Sequence, residues 1–118
     1  MKTVYRDVSP YRTKDGSEIR ELRHPGRHGN KNQSLAEATV FPGQKTIPHT
    51  HTLTEEIYHL TAGAGVMTLE SEMFPVTAGD TVLIAPGKRH CIENTGTSPL
   101  KLLCLCSPPY SHDDTELL

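Results

Sequence analysis

The chain has 118 residues, which is enough for one domain and too few for two separate hydrophobic cores. Its 12 basic and 14 acidic residues give a net charge of −2, which argues against a nucleic-acid binder, since such proteins usually carry a basic excess. Aromatic residues make up only 5% and tryptophan is absent, so a surface on which bases stack is not expected either. The seven histidines are the compositional outlier.

The N-terminal region, residues 1–34, is polar and is interrupted by five prolines and glycines. Residues 17–22 have the composition of a strand, and residues 26–32 have that of a loop. We therefore expect residues 1–34 to supply N-terminal strands and a loop that pack against the main body of the domain.

From residue 35 onward, short apolar segments alternate with turn-forming residues, and no segment keeps a helical period over about 11 residues. The pattern predicts about eight strands, at residues 35–41, 45–52, 55–62, 66–70, 73–76, 81–85, 90–94 and 100–106. Many short strands are typical of an all-β sandwich or barrel, which we place at residues 35–108. Residues 109–118 are predicted to form a tail that frays or makes one helical turn.

The distribution of apolar residues and cysteines bears on the cellular location of the protein. The first seven residues carry no apolar stretch, so a signal peptide is not expected, and no run of about 18 apolar residues exists that would span a membrane. The odd cysteine count, with Cys91, Cys104 and Cys106, indicates reduced thiols. These features favour a cytoplasmic protein that does not contact membranes.

Two histidines separated by one residue, His49 and His51, lie in the second predicted strand. Side chains at i and i+2 of a strand project from one face, so both imidazoles point the same way. Glu56 follows after a short turn, and His90 begins a later strand. Three imidazoles with one carboxylate suit Mn, Fe, Co, Ni, Cu(II) or Zn and not Ca or Cu(I), and they leave positions of a six-coordinate ion open. Taken alone, however, a His-x-His pair is more often two histidines that lie on the surface or have ordinary hydrogen-bond partners than a ligand pair.

The residues around these histidines form two spaced motifs. The first motif consists of Gly43, His49, His51, Glu56 and Gly63. The second motif consists of Gly79, Pro86, Gly87, His90 and Asn94. Together they resemble the two conserved motifs of the cupin superfamily, and the fifteen residues between them match the short spacer of compact microbial cupins. Ala85 stands where the family usually has proline, but Pro86-Gly87 keeps the turn.

The resemblance is to small single-domain, metal-binding cupins of the cupin 2 conserved-barrel type. It implies that the fold is a double-stranded β-helix, a jelly-roll barrel, in one cupin domain. It also implies one divalent transition metal ion per chain (Mn, Fe, Ni, Cu, Co or Zn), held by His49, His51, Glu56 and His90. Asn94 is expected to hold a turn. Family members of this size usually pair, and the outward apolar Ile57 and Leu103 are consistent with a homodimer.

Several functions are open to such a site. The favoured hypothesis is a metalloenzyme that acts on a small molecule, with oxygen-dependent, dioxygenase-type chemistry. The alternatives are a Lewis-acid isomerase or lyase acting on a sugar-like or carboxylate substrate, and a non-catalytic module that binds or senses a small molecule. Sugar-nucleotide epimerases of this fold rank lower because they generally lack the complete ligand set. Glu56 is a candidate base, and Tyr58 is a candidate substrate contact or, more simply, a core residue.

The remaining histidines, thiols and arginines receive weaker predictions. Cys104 and Cys106 share a face that points into the barrel near the metal cavity. A thiol there could contact the metal's ligands or be open to oxidation, but a small buried apolar residue is the simpler interpretation. His59 is expected to point outward. A solvated position in a loop or tail is expected for His24, His28 and His112. Binding of an anionic substrate at the cavity mouth, or more simply exposure to solvent, is expected for Arg20, Arg23, Arg27 and Arg89.

Overall fold

The computed structural model describes all 118 residues and is nearly all β. The helical elements are a 3-10 turn at Tyr5–Asp7 and one short helix, α1, at Pro25–His28. The strands are β1 Tyr11–Arg12, β2 Glu18–Arg23, β3 Ser34–Val40, β4 His49–His51, β5 Glu55–Ala62, β6 Ala64–Leu69, β7 Glu72–Thr77, β8 Thr81–Ile84, β9 His90–Glu93, β10 Leu100–Ser107 and β11 Thr115–Leu117. No helix has the length and apolar character needed to cross a membrane.

The strands form two antiparallel sheets. One sheet has six strands in the order β1-β2-β3-β10-β5-β8, and the other has five in the order β11-β4-β9-β6-β7. The non-sequential neighbours in both sheets are the crossovers of a jelly roll, and a single core of 14 buried apolar residues is shared by strands of the two sheets. The predicted all-β jelly-roll barrel is therefore confirmed.

Alternation of buried and exposed side chains places the core between the sheets. Along β10, Leu102 and Cys104 are buried while the intervening Leu103 is partly exposed, as the two-residue period of a strand requires. Leu60 on β5 and Met67 on β6 are completely buried. Full burial of a large aliphatic side chain stabilises the fold by about 1.5–3 kcal/mol, so these side chains hold the two sheets together.

Turns between the strands follow the two sequence motifs. Gly63 and Gly79 have φ of 83° and 97°, in the left-handed region that favours glycine. The Asn94 side-chain amide donates to the carbonyls of Val40 and Ser98 at 2.8 and 2.9 Å, and its Oδ1 accepts from the Gly96 amide at 2.9 Å. The expectation that Asn94 holds a turn is thus confirmed.

The eight strands predicted between residues 35 and 106 correspond to β3 through β10. The second of them is much shorter than predicted: Lys45 makes only an isolated bridge to Glu93, and β4 begins at His49, directly after Pro48. A proline at this point has no amide hydrogen to continue a ladder.

The conformation predicted for the C-terminal tail is wrong. Residues 115–117 neither fray nor form a helical turn, because they add β11 to the free edge of β4, with Thr115 opposite His51 and Leu117 opposite His49. The Asp114 carboxylate accepts the backbone amides of Leu53 and Thr54 and anchors the approach to this strand. Pairing covers the edge of β4, whose amides and carbonyls would otherwise lack partners.

Candidate metal centre

Three histidines converge on one point between the two sheets. His49 and His51 point inward from β4, and His90, the first residue of β9, is paired directly with His49. Their potential ligand atoms all lie within 4.8 Å of one another. All three residues are buried, His90 to 1% exposure. The face predicted for the His-x-His pair is therefore the interior face, and the alternative of two surface histidines is wrong.

Glu56 reaches the same point from the opposite sheet. It lies on β5, and its Oε1 is 3.3 Å from Nε2 of His51 and 3.5 Å from Nε2 of His90. The side chain is buried, with 4% exposure. The structure thus brings together all four residues that the motif resemblance implies as ligands.

Hydrogen bonds on the outer side of each ring set the orientation of the imidazoles. Nδ1 of His49 lies 2.8 Å from the Ile47 carbonyl, and Nδ1 of His90 lies 2.9 Å from the Lys88 carbonyl. A carbonyl only accepts, so both rings carry their proton on Nδ1 and present the lone pair of Nε2 to the centre.

The third ring, that of His51, is held by the C-terminal tail. Nδ1 of His51 lies 3.0 Å from the Thr115 hydroxyl, which itself donates to the Ser111 carbonyl at 2.8 Å. Because the hydroxyl hydrogen is committed to Ser111, the hydroxyl accepts from His51. All three imidazoles therefore share the arrangement in which Nε2 is free to bind a metal and Nδ1–H is anchored.

The charge states of these donors also suit a cation. Burial raises the pKa of the Glu56 carboxyl, but hydrogen bonds and positive charge from His51 and His90, which these rings supply when protonated, outweigh burial and lower the pKa to about 2. Burial, reinforced by nearby His90, lowers the pKa of His49, which favours its neutral, ligating form.

Two buried polar atoms at the centre, Oε1 of Glu56 and Nε2 of His90, make no hydrogen bond. A buried polar atom without a partner costs about 1–3 kcal/mol. A divalent ion among the four side chains would satisfy both atoms, and the mixed imidazole and carboxylate donor set matches a borderline transition metal. The four converging side chains therefore have the chemistry needed to hold a divalent transition metal ion.

A second carboxylate near the centre, Asp15, was missed by the sequence analysis. Its Oδ2 lies 3.8 Å from Nε2 of His49, while its Oδ1 accepts from the amide and hydroxyl of Ser17 at 2.9 and 2.6 Å. The Asp15 carbonyl accepts the Ile47 amide at 2.8 Å, and this hydrogen bond holds the β1–β2 turn against the segment just before β4. In the sequence, Asp15-Gly16 indicates a turn, but nothing there indicates that this turn lies next to His49.

Tyr58 and the two thiols lie along the same inner face. Tyr58 is buried, and its ring centroid is 5.9 Å from that of His90. The Cys106 thiol lies 3.2 Å from Oε2 of Glu56, to which it donates. Burial, with a smaller contribution from Glu56, raises the pKa of Cys106 well above its usual range, so the thiol keeps its proton. Cys104 is buried on the same face, as predicted.

A cavity extends from the metal centre along the interior of the barrel. Its far wall contains Tyr11 and Glu21, whereas Tyr110 lies beside the metal centre, with its ring centroid 5.9 Å from that of His51. These three residues also line an outer cleft that opens to solvent. All three belong to the parts of the chain outside the two motifs, so the motif resemblance gave no signal for them.

The other histidines lie away from the centre. His59 points outward and bonds Thr81 at 2.8 Å, as predicted. His24 and His28, expected to be solvated, are partly exposed and also bond the local backbone: Nδ1 of His24 accepts the Gly26 amide at 3.0 Å, and Nδ1 of His28 accepts the His24 amide at 3.0 Å. The ring of His112 bonds the Tyr110 hydroxyl at 3.0 Å.

None of the four arginines singled out as possible anion contacts lines the inner cavity.

Comparisons with known proteins agree with this architecture. Residues 36–106 match the family model described as "Cupin domain". The uncharacterized protein MJ1618 of Methanocaldococcus jannaschii is 54% identical over 100% of this chain and 94% of its own length. The tetracenomycin polyketide synthase protein TcmJ of Streptomyces glaucescens is 27% identical, covering 98% of this chain and 80% of its own.

Among solved structures, the crystal structure of a predicted oxalate decarboxylase from Thermotoga maritima has a TM-score of 0.81 and 27% identity, covering 92% of this chain and 99% of that chain. The family match spans more than half of the residues and contains His49, His51, Glu56 and His90. The chain belongs to the cupin family, as a small single-barrel member.

Proposed function

We propose that this cupin binds one divalent transition metal ion through His49, His51, Glu56 and His90 and acts as a metalloenzyme on a small molecule that enters the barrel. The observation that carries the proposal is the convergence of three imidazoles, each anchored at Nδ1, on a buried carboxylate oxygen without a hydrogen-bond partner. Anchored ligands of this kind are typical of metal sites, where such outer hydrogen bonds are worth about 10- to 100-fold in metal affinity.

The ion would supply either activation of a chelated substrate toward dioxygen, if it is Fe, Mn, Ni or Cu, or Lewis acidity, if it is Zn. Dioxygenase-type chemistry is our first candidate because four protein donors leave part of an octahedral shell for other molecules. The relative TcmJ, which covers nearly the whole chain, is a polyketide synthase protein, and this supports an organic small molecule as the substrate.

The chain's own residues would hold and move protons near the reacting molecule. Glu56 is one candidate base, and Asp15, 3.8 Å from the His49 ring, is a second carboxylate on the same side of the cavity. Tyr58 packs against His90 and limits the space beside the centre, which favours its role as a wall and not as a proton donor. Burial raises the pKa of Tyr58 well above its usual range, and Glu56 adds to the shift, so its hydroxyl remains protonated.

The second candidate function is Lewis-acid chemistry such as isomerisation or elimination. The observation in its favour is the pair of carboxylates, Asp15 and Glu56, near the same three imidazoles. Both reactions begin with removal of a proton from the substrate, which either carboxylate could accept. Isomerisation then returns the proton at another position, whereas elimination expels a leaving group.

The test combines metal analysis with an activity screen. The purified protein is examined by elemental analysis, reconstituted with each candidate metal, and assayed for oxygen uptake with catechols, diketones and flavonols. Bound metal at one ion per chain with oxygen uptake supports the first candidate. Bound metal without oxygen uptake shifts the assignment to Lewis-acid chemistry or to ligand binding alone. Failure to bind any transition metal after reconstitution contradicts the proposal.

The homodimer stays a prediction. The outer face of the six-stranded sheet carries Ile57, Leu83, Leu103 and Leu105, of which Leu83 is 57% and Leu105 is 41% exposed. Burial of such a face would stabilise an association of two chains. Sedimentation at micromolar concentration should give the mass of two chains for the wild type and of one chain for Leu83→Glu, and a wild-type mass of one chain contradicts the prediction.

A further inference from the structure

The far wall of the cavity holds a buried carboxylate, Glu21, that no part of the metal centre uses. Glu21 lies on β2 and is only 4% exposed. The Tyr11 hydroxyl donates to its Oε1 at 2.8 Å, whereas its Oε2 is buried without any hydrogen-bond partner. A charged oxygen in this state needs a donor, and the open space that could deliver one is the cavity.

The inner face of the six-stranded sheet connects Glu21 to the metal centre. Glu21 is paired with Ala36 on β3, Ala36 with Cys104 on β10, and Cys104 with Tyr58 on β5. The backbones of β2 and β5 are three strand spacings apart, about 14 Å. Ala36 and Cys104 are small and line the same cavity as Glu21 and Glu56. A narrow, chain-like molecule is therefore the shape that could contact the metal centre and Glu21 together.

The cavity is negatively charged along this path. Three carboxylates line it, those of Asp15, Glu21 and Glu56, and neither lysine nor arginine does. A divalent ion would offset only two of these charges. Arg27 lies over the Tyr11 ring at 5.5 Å and lines the outer cleft, not the inner cavity. An anionic group that entered beyond the metal would therefore meet carboxylates without a compensating cation.

We propose that Glu21 is the substrate-recognition residue of the cavity, and that the natural ligand is a neutral or cationic small molecule whose end remote from the metal carries a hydroxyl or amino donor. The hydroxyl or amino group donates to Oε2 of Glu21. Molecules that carry an anionic group at the end remote from the metal bind poorly, because that group would face the Glu21 carboxylate. The proposal rests on the proposed metal site, because the metal holds the other end of the molecule.

The experiment uses the full chain loaded with Co²⁺ and four hydroxamic acids that share one metal-binding head and a three-carbon chain. The compounds are 4-aminobutanohydroxamic acid, 4-hydroxybutanohydroxamic acid, pentanohydroxamic acid and glutaric monohydroxamic acid. Their remote ends are ammonium, hydroxyl, methyl and carboxylate. Binding is measured by the visible spectrum of Co²⁺ and by calorimetry. We expect the ammonium and hydroxyl compounds to bind about 10-fold more tightly than the methyl compound, and the carboxylate about 10-fold more weakly.

Two variants decide whether Glu21 is responsible. Glu21→Gln should remove most of the preference for ammonium over methyl and relax the rejection of carboxylate, because the amide keeps the size of the side chain and loses its charge. Glu18→Gln is the matched control: it changes a glutamate of the same strand that points to the opposite face, and it should leave the order unchanged.

The outcomes separate the two proposals. Equal affinity for all four compounds, or an order that Glu21→Gln does not alter, overturns the role of Glu21 while the metal site stands. If the protein fails to bind Co²⁺, the proposed function fails, and the role of Glu21 fails with it.

Discussion

The two ends of the barrel cavity come from different parts of the chain and treat their polar groups differently. The metal end, His49, His51, Glu56 and His90, belongs to β4, β5 and β9, and each of its imidazoles has a hydrogen bond that holds it in one orientation. The entrance end, where Tyr11 and Glu21 line both the cavity and the outer cleft, belongs to β1 and β2. Each end has one buried carboxylate oxygen without a partner, Oε1 of Glu56 and Oε2 of Glu21, but only Oε1 of Glu56 lies beside imidazole nitrogens. The metal end therefore suits a cation, whereas the entrance end suits a hydrogen-bond donor.

This difference indicates how a small barrel can keep one metal chemistry and change its substrate. The four residues of the metal end all lie within the region that matches the family model, residues 36–106, although Thr115 on β11 supports His51 from outside it. Glu21, Tyr11 and Tyr110 all lie outside that region. Substitutions at the entrance end should therefore change ligand preference with little effect on metal affinity, and substitutions at the metal end should do the reverse.

The largest expected effect is that of His90→Ala. The substitution removes one of four converging ligands, so metal affinity should fall by more than about 100-fold, since the loss of an outer hydrogen bond alone costs up to that much. A competition titration against a chromophoric chelator measures the change, and far-ultraviolet circular dichroism checks that the barrel is folded. His59→Ala is the control, because His59 points outward and bonds Thr81. A folded His90→Ala protein with wild-type metal affinity would remove His90 from the ligand set.

A smaller effect is expected of Thr115→Val, which keeps the shape of the side chain and removes the acceptor for Nδ1 of His51. Metal affinity should fall about 10- to 100-fold, although no ligand is changed. Thr50→Val is the control, because Thr50 lies between the two histidines of β4 and projects from the other face. If both variants bind metal equally well, the tail does not position His51.

The smallest effect is expected of Cys106→Ala. The thiol donates to Oε2 of Glu56 at 3.2 Å, but a neutral S–H group is a weak donor, so metal affinity should change by only about 2- to 3-fold. The same chelator competition measures it, with Cys91→Ala as the control at a buried thiol that does not line the cavity. A loss as large as that of His90→Ala would make Cys106 a ligand and would change the composition of the metal end.

The metal end could be predicted from the sequence because the signals are local. The two-residue period places His49 and His51 on one face, and the resemblance of the two motifs to those of cupins adds Glu56 and His90 without any knowledge of which strands pair. The eight central strands were likewise marked by their own turns, even though β4 is shorter than expected.

The contributions of the flanking segments could not be predicted because they depend on pairings between distant residues. Thr115 meets His51 only after β11 adds to the edge of β4, 64 residues away along the chain. Asp15 approaches His49 because its carbonyl accepts the Ile47 amide. A single sequence carries no periodic signal for such contacts, and a polar tail with one short apolar pair looked like a fraying end.

The central claim is that one metal ion is bound where the three imidazoles and Glu56 converge. The most direct test is a crystal structure of the protein grown with Co²⁺ or Mn²⁺, with anomalous diffraction used to locate the ion. We expect a single anomalous peak per chain, within bonding distance of Nε2 of His49, His51 and His90 and of the Glu56 carboxylate. A peak elsewhere, or the absence of a peak with the four side chains well ordered, would contradict it.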